Sequence, residues 1–137
     1  MATRRSEAPP QRLILDAGAV IALSRSEARA RAVLAAAVEA GADVSIPAVV
    51  VAETVRGVAA DAPVNRVVKA VGGVDVVTEA IGRTAGRLLG QTGSSSTIDA
   101  IVVATAVEAA GAVILTGDPG DLRALASRHR EVVVHAH

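Results

Sequence analysis

Short, largely apolar runs, each separated from the next by a helical stretch, constrain this chain more than any other feature of its sequence. Each run is too short for a buried helix, and turn residues bound it, so it reads as a strand. Five are expected: Arg12–Leu15, Asp43–Ile46, Val74–Val77, Val113–Thr116 and Glu131–His135. Between them the pattern predicts helices over Ala19–Ser24, Glu27–Ala40, Pro47–Arg56, Asn65–Val71, Glu79–Leu89, Ile98–Ala110 and Pro119–Ser127. The punctuation agrees with this division. Pro47 suits a first helical turn, Thr78 suits an N-cap, and Gly41, Gly57, Gly72-Gly73 and Gly111 stand where helices stop. Residues 93–96 form the one loop that reads as flexible. Apolar strands alternating with helices indicate an α/β fold, with a parallel sheet covered on both faces.

The 137 residues suit one domain and can bury a real core. Residues 1–11 are polar and carry Arg and Pro, so a flexible N-terminal segment is expected there, with the domain over 12–137. That segment lacks the apolar core of a signal peptide, and no apolar run reaches the ~20 residues of a membrane span. The expected location is cytoplasmic.

Composition removes several chemistries. There is no Cys, which excludes disulfides, thiolate catalysis and Cys-held zinc. There is no Phe, Tyr or Trp, so single-stranded nucleic acid cannot be held by aromatic stacking. Fourteen basic and fourteen acidic side chains cancel, giving no global electrostatic signature for RNA or DNA. No Gly-x-Gly-x-x-Gly follows a strand and no phosphate-binding P-loop is present.

In an open α/β sheet, ligands bind beyond the carboxyl ends of the strands. Two acids stand there: Asp16 directly after Leu13-Ile14-Leu15, and Asp118 two residues after Val113-Ile114-Leu115-Thr116. Two more, Glu53 and Asp99, are embedded in apolar helical stretches, where a carboxylate is costly unless paired, hydrogen-bonded or metal-bound. Crowded carboxylates also raise one another's pKa. A divalent cation removes that penalty, and oxygen donors with no Cys or His beside them suit Mg²⁺ or Mn²⁺. Such a site suits phosphodiester hydrolysis. Each acid also has a plain structural role available. Asp118 and Asp121 fit the start of a helix at Pro119, Ser96-Thr97-Ile98-Asp99 resembles a capping box, and Asp16 could cap the turn after its strand. The three histidines, His129, His135 and His137, are scattered near the C-terminus and read as surface or tail residues.

The ordered set of motifs resembles the PIN-domain family. Leu13-Ile14-Leu15-Asp16-Ala17-Gly18-Ala19-Val20 is similar to its opening motif, and Glu53 followed by Arg56-Gly57 to its second acid. Ile98-Asp99-Ala100-Ile101-Val102-Val103 is similar to the third motif, and Leu115-Thr116-Gly117-Asp118-Pro119-Gly120-Asp121-Leu122 to the fourth. The resemblance spans nearly the whole chain. It implies a three-layer α/β/α sandwich with a central parallel sheet of about five strands. It further implies a Mg²⁺- or Mn²⁺-dependent endoribonuclease whose site acids are Asp16, Glu53, Asp99 and Asp118, with Asp121 a secondary candidate.

A short chain of this kind resembles the VapC-type branch. That implies the toxin of a type II toxin–antitoxin pair, a homodimer held inactive by a VapB-type antitoxin, and RNA, often transfer RNA, as substrate. Two departures stand out. Many relatives carry Ser or Thr soon after the first acid, where this chain has Ala17-Gly18-Ala19; Thr116 is the candidate to supply a hydroxyl near the fourth acid. The usual aromatic after the last acid is Leu122. The competing expectation is a PIN-like module that binds RNA or protein without cutting. Arg56, Arg83, Arg87 and Arg123 are candidates for an RNA path, and the helices at Glu27–Ala40 and Asn65–Val71 for an interface.

Overall fold

The computed structural model describes residues 11–137, so the N-terminal segment expected to be flexible lies outside the described residues except for Gln11. Five strands form one sheet: β1 (Arg12–Leu15), β2 (Asp43–Pro47), β3 (Val74–Asp75), β4 (Ala112–Thr116) and β5 (Val132–Ala136). Every pairing is parallel and the spatial order is β3-β2-β1-β4-β5. Seven α-helices are found among the described residues: α1 (Ala17–Ser24), α2 (Ala28–Glu39), α3 (Ala48–Thr54), α4 (Ala62–Val71), α5 (Glu79–Thr92), α6 (Thr97–Glu108) and α7 (Pro119–Leu125). This is the α/β arrangement with a five-stranded parallel sheet that the sequence pattern implies.

The order of strands decides where helices lie. The chain moves from β1 outward to β2 and β3, then crosses back to β4 and β5. Right-handed crossovers send helices made on the outward path to one face and those made on the return to the other. Accordingly α1 packs with α2, α3 and α4, while α5, α6 and α7 pack together. Ile14, Leu15, Ile114 and Leu115 on the two central strands are fully buried between these layers, with Val20, Val50, Val102, Val103, Leu122 and Leu125 completing the core. With no aromatic ring to fill space, many branched aliphatic side chains do so. Each contributes about 1.5–3 kcal/mol on full burial.

Several boundaries differ from the sequence pattern. Pro47 ends β2 and stands as the N-cap of α3 rather than inside the helix. Because β2 turns into a helix there, β3 finds a partner only at Ile46↔Val74 and Pro47↔Asp75, and the expected strand over Val74–Val77 stops at Asp75. Val76 and Val77 are left exposed. The helix expected from Asn65 starts at Ala62, because a 3₁₀ turn over Ala59–Asp61 leads into it and Pro63 is tolerated in its first turn. The helix expected over Glu79–Leu89 runs on to Thr92, with Thr78 capping it through Ile81 N–H at 3.1 Å as expected. Gly111, with φ +117°, makes the turn into β4; a Cβ there would stand 2.9 Å from the Glu131 carbonyl oxygen.

Candidate active site at the carboxyl end of the sheet

β1 and β4 are neighbours at the centre of the sheet, and the chain leaves them in opposite directions, toward β2 and toward β5. That is the switch point at which α/β sheets open a crevice. Asp16 and Asp118 both stand at this edge. The Asp16 N–H donates to the Leu115 carbonyl at 3.2 Å, tying the exit of β1 to β4. Asp16 Oδ1 accepts the Ala19 N–H at 3.0 Å, so the carboxylate also caps α1, as its plain structural reading anticipates. The two turns approach closely: a Cβ on Gly18 would lie 3.1 Å from the Gly117 nitrogen and 3.5 Å from Asp16 Oδ1. Gly18, within the Ala17-Gly18-Ala19 stretch, therefore serves this close approach.

Thr116, the candidate hydroxyl, stands at the end of β4 beside this turn. It is fully buried, its Oγ1 accepts the Asp118 N–H at 3.0 Å, and its hydroxyl pulls the Asp16 carboxyl down against burial. One hydroxyl thus links the first and fourth acids. Burial pushes the Asp16 carboxyl up from its ordinary value, against the opposing pull of Thr116, the Ala19 N–H, the His137 imidazole and the Gly18 N–H.

The helical acids reach the same neighbourhood. Burial raises the Asp99 carboxyl, and Asp121, Asp16 and Asp118 push it further. Glu53, more exposed, is raised by loss of water around its carboxyl and by the charges of Asp99 and Asp16. The capping box expected at Ser96 and Asp99 does not form, and Asp118 takes its expected N-cap place before Pro119 but makes no side-chain cap bond. The Ser96 hydroxyl instead donates to Asp121 Oδ2 at 3.2 Å, which fixes the start of α6 against α7. Asp16, Glu53, Asp99 and Asp118, with Asp121, therefore lie near enough for charge to act among them, although they come from four separate stretches of chain.

Among the described residues, no three acidic or histidine side chains stand close enough to share one ion as placed. The chemistry of the donors nevertheless fits a divalent cation. All five acids offer hard oxygens. The charges that raise the Glu53 and Asp99 carboxyls are those of other carboxylates. The mutual repulsion is what a cation relieves.

His137 departs from its expected place in an exposed tail. Its backbone N–H donates to the Thr116 carbonyl at 3.1 Å, extending the β4–β5 ladder by one residue. Its ring is half-buried over Gly117, and its Nε2 is buried without a hydrogen-bond partner among the described residues. The rule that residues just after strands form the site applies to it as well. Ending the last strand at His135 hid it. His135 and Ala136 are exposed, in line with a surface role. Of the candidate arginines, Arg56 donates to the Ala52 and Val55 carbonyls at 3.0 and 3.2 Å, Arg83 pairs with Glu79 at 2.7 Å in solvent, and Arg123 reaches the Val134 carbonyl at 3.4 Å.

The fold and the acids at its switch point define a PIN domain, and the PIN domain model matches residues 13–127, so the chain belongs to that family. Three solved structures share the fold. VapBC2 from Rickettsia felis, bound to a DNA fragment from its promoter, superposes with a TM-score of 0.70 at 12% identity, over 91% of this chain and 98% of that one. A toxin–antitoxin complex from Klebsiella pneumoniae gives 0.68 at 18% identity, over 88% and 95%. FitAcB from Neisseria gonorrhoeae gives 0.61 at 19% identity, over 89% and 95%. No curated protein sequence matches the chain. Among the described residues, no helix is long and apolar enough to cross a membrane.

Proposed function

We propose that this chain is a Mg²⁺- or Mn²⁺-dependent endoribonuclease, the toxin of a VapBC-type pair, acting in the cytoplasm. The observation that carries the reading is the set of acids at the β1/β4 switch point, where burial first, and then the charges of neighbouring acids, raise the Glu53 and Asp99 carboxyls. A structural carboxylate has no reason to be kept among its like; a cation-binding one does. Asp16, Glu53, Asp99 and Asp118 are the residues suited to hold the ion, with Asp121 at the margin. When bound, a divalent cation makes water acidic enough to attack near neutral pH and neutralises charge on the phosphate. Thr116 holds Asp16 and the Asp118 backbone in register. Glu53 is the more exposed acid, and its raised pKa suits it also to take the proton of the attacking water.

The partner reading has its own support. The apolar faces of α2 and α4 are only partly used: α2 buries Ala30 alone and α4 buries none of its residues fully. Leu34, Val38, Val67 and Val71 line a trough between them. An apolar segment of an antitoxin suits this trough, since one of the solved structures of this fold is a toxin–antitoxin complex.

The test is RNA cleavage by purified chain. Cleavage that requires Mg²⁺ or Mn²⁺ and stops on chelation and in Asp16→Asn is the expected result. RNA binding without cutting, whatever metal is supplied, would establish the inert-module reading instead.

A further inference from the structure

The five acids are not the whole of the crevice. His137 Nε2 is buried and unanswered among the described residues. A buried polar group left without a partner is costly, and such a group in a native fold calls for an ion, a water or a functional role. Its position is set by the backbone rather than by chance packing. The His137 N–H bond to the Thr116 carbonyl, at 3.1 Å, registers the imidazole beside Gly117, between the hydroxyl-bearing Thr116 and Asp118. The ring edge occupies the space that a side chain at residue 117 would need: a Cβ there would stand 3.3 Å from both Cε1 and Nε2. The imidazole also lies near enough to Asp16 for its charge to act on that carboxylate. The other two histidines have different surroundings, with His135 exposed and His129 near Glu131 at 3.7 Å.

We infer that His137 Nε2 is a nitrogen ligand of the divalent cation at the Asp16 end of the site, converting an all-oxygen donor set into a mixed nitrogen–oxygen one. The inference rests on the reading that the carboxylates hold a cation, and adds a donor to it. Imidazole suits transition metals, whereas Mg²⁺ strongly prefers oxygen and keeps its waters. His137 therefore tilts the site toward Mn²⁺ over Mg²⁺. Gly117 is the residue that leaves room for the ring to do so.

Pulsed electron paramagnetic resonance of the Mn²⁺-loaded chain, with Mn²⁺ and Mg²⁺ affinities measured by calorimetry, tests this directly without reference to activity. The expected result is nitrogen modulation from a directly bound imidazole. It is lost in His137→Gln, kept in His129→Gln and His135→Gln, and weakened in Gly117→Ala, where a methyl group crowds the ring. Mn²⁺ affinity in His137→Gln falls about tenfold or more while Mg²⁺ affinity changes little. Thermal melting of each variant confirms that it is folded, and Gly117→Ala probes the ring without removing it. Tight Mn²⁺ binding with no nitrogen coupling, or coupling that survives His137→Gln, overturns the inference and leaves the carboxylate site standing. A wild-type chain that binds no Mn²⁺ overturns both.

Discussion

Two carboxylates, Asp16 at the sheet's central crevice and Asp61 at the turn after α3, are both largely withdrawn from solvent and have opposite fates. Asp61 Oδ2 accepts three backbone N–H groups, from Arg56 at 3.0 Å, Gly57 at 2.7 Å and Val58 at 3.0 Å. Those bonds, that from Val58 foremost, hold its carboxyl below the ordinary range. Asp16 is also hydrogen-bonded, yet burial outweighs its partners and its carboxyl is raised. Its neighbours include other acids, whereas Asp61 has the Arg56 charge nearby. The turn has been closed by its own backbone, so its acid is finished as a structural part. The crevice has been left with charge unbalanced, which is the condition for binding something positive.

That contrast can be broken most sharply at Asp16. Asp16→Asn is expected to reduce RNA cleavage by about 100-fold or more, the scale set by removing one preorganised electrostatic group. Its melting temperature should not fall, because Asn caps α1 as well as Asp does and a buried charge is gone. A large loss of stability with activity retained would show that Asp16 is a structural acid like Asp61.

Thr116→Val comes next. Removing the hydroxyl that links Asp16 to the Asp118 N–H should cost about 10-fold in cleavage, as loss of an outer partner of a ligand does, and should raise the pH at which activity is half-maximal. Unchanged kinetics and pH profile would remove Thr116 from the site.

Asp61→Ala should act in the reverse sense. Its melting temperature should drop by about 5 °C, while cleavage by the folded fraction falls far less than in Asp16→Asn. If cleavage collapses while stability holds, the turn belongs to the catalytic apparatus.

The smallest effect is on the pH dependence of stability. Asp16, Glu53 and Asp99 have folded pKa values above their ordinary 3.8, 4.5 and 3.8, so the folded state takes up their protons first as pH falls. Stability should therefore rise as pH drops from neutral through those raised values. Asp61 works the other way. Its contribution is complete above 3.8 and is lost as pH falls through its lowered folded value. Thermal melts from pH 7.5 to 3 in the absence of divalent ions should show a shallow rise and then a fall. Asp16→Asn should flatten the rise, and Asp61→Ala should flatten the fall.

How legible these features were in the sequence depended on whether the signal was local. The strand at Leu13-Ile14-Leu15 announced itself by unbroken burial, the cap at Thr78 by its residue type, and Asp16 and Asp118 by their place after strands. The bonds of Asp61 were illegible, because a carboxylate that knots three backbone groups looks in sequence like any Asp in a turn. The capping box at Ser96 and Asp99 was legible but wrong: Asp121 from α7 offers the Ser96 hydroxyl a partner that no local pattern contains.

Taken alone, the order of residues determined the alternation of strands and helices, the parallel sheet and the acids worth watching, because burial periodicity and turn chemistry act over a few neighbours. Only the tertiary structure decided that β1 lies against β4, that Thr116 joins two acids and that His137 faces Gly117. Strand order and register set those meetings, and they depend on how the layers close on one another across more than a hundred residues of chain.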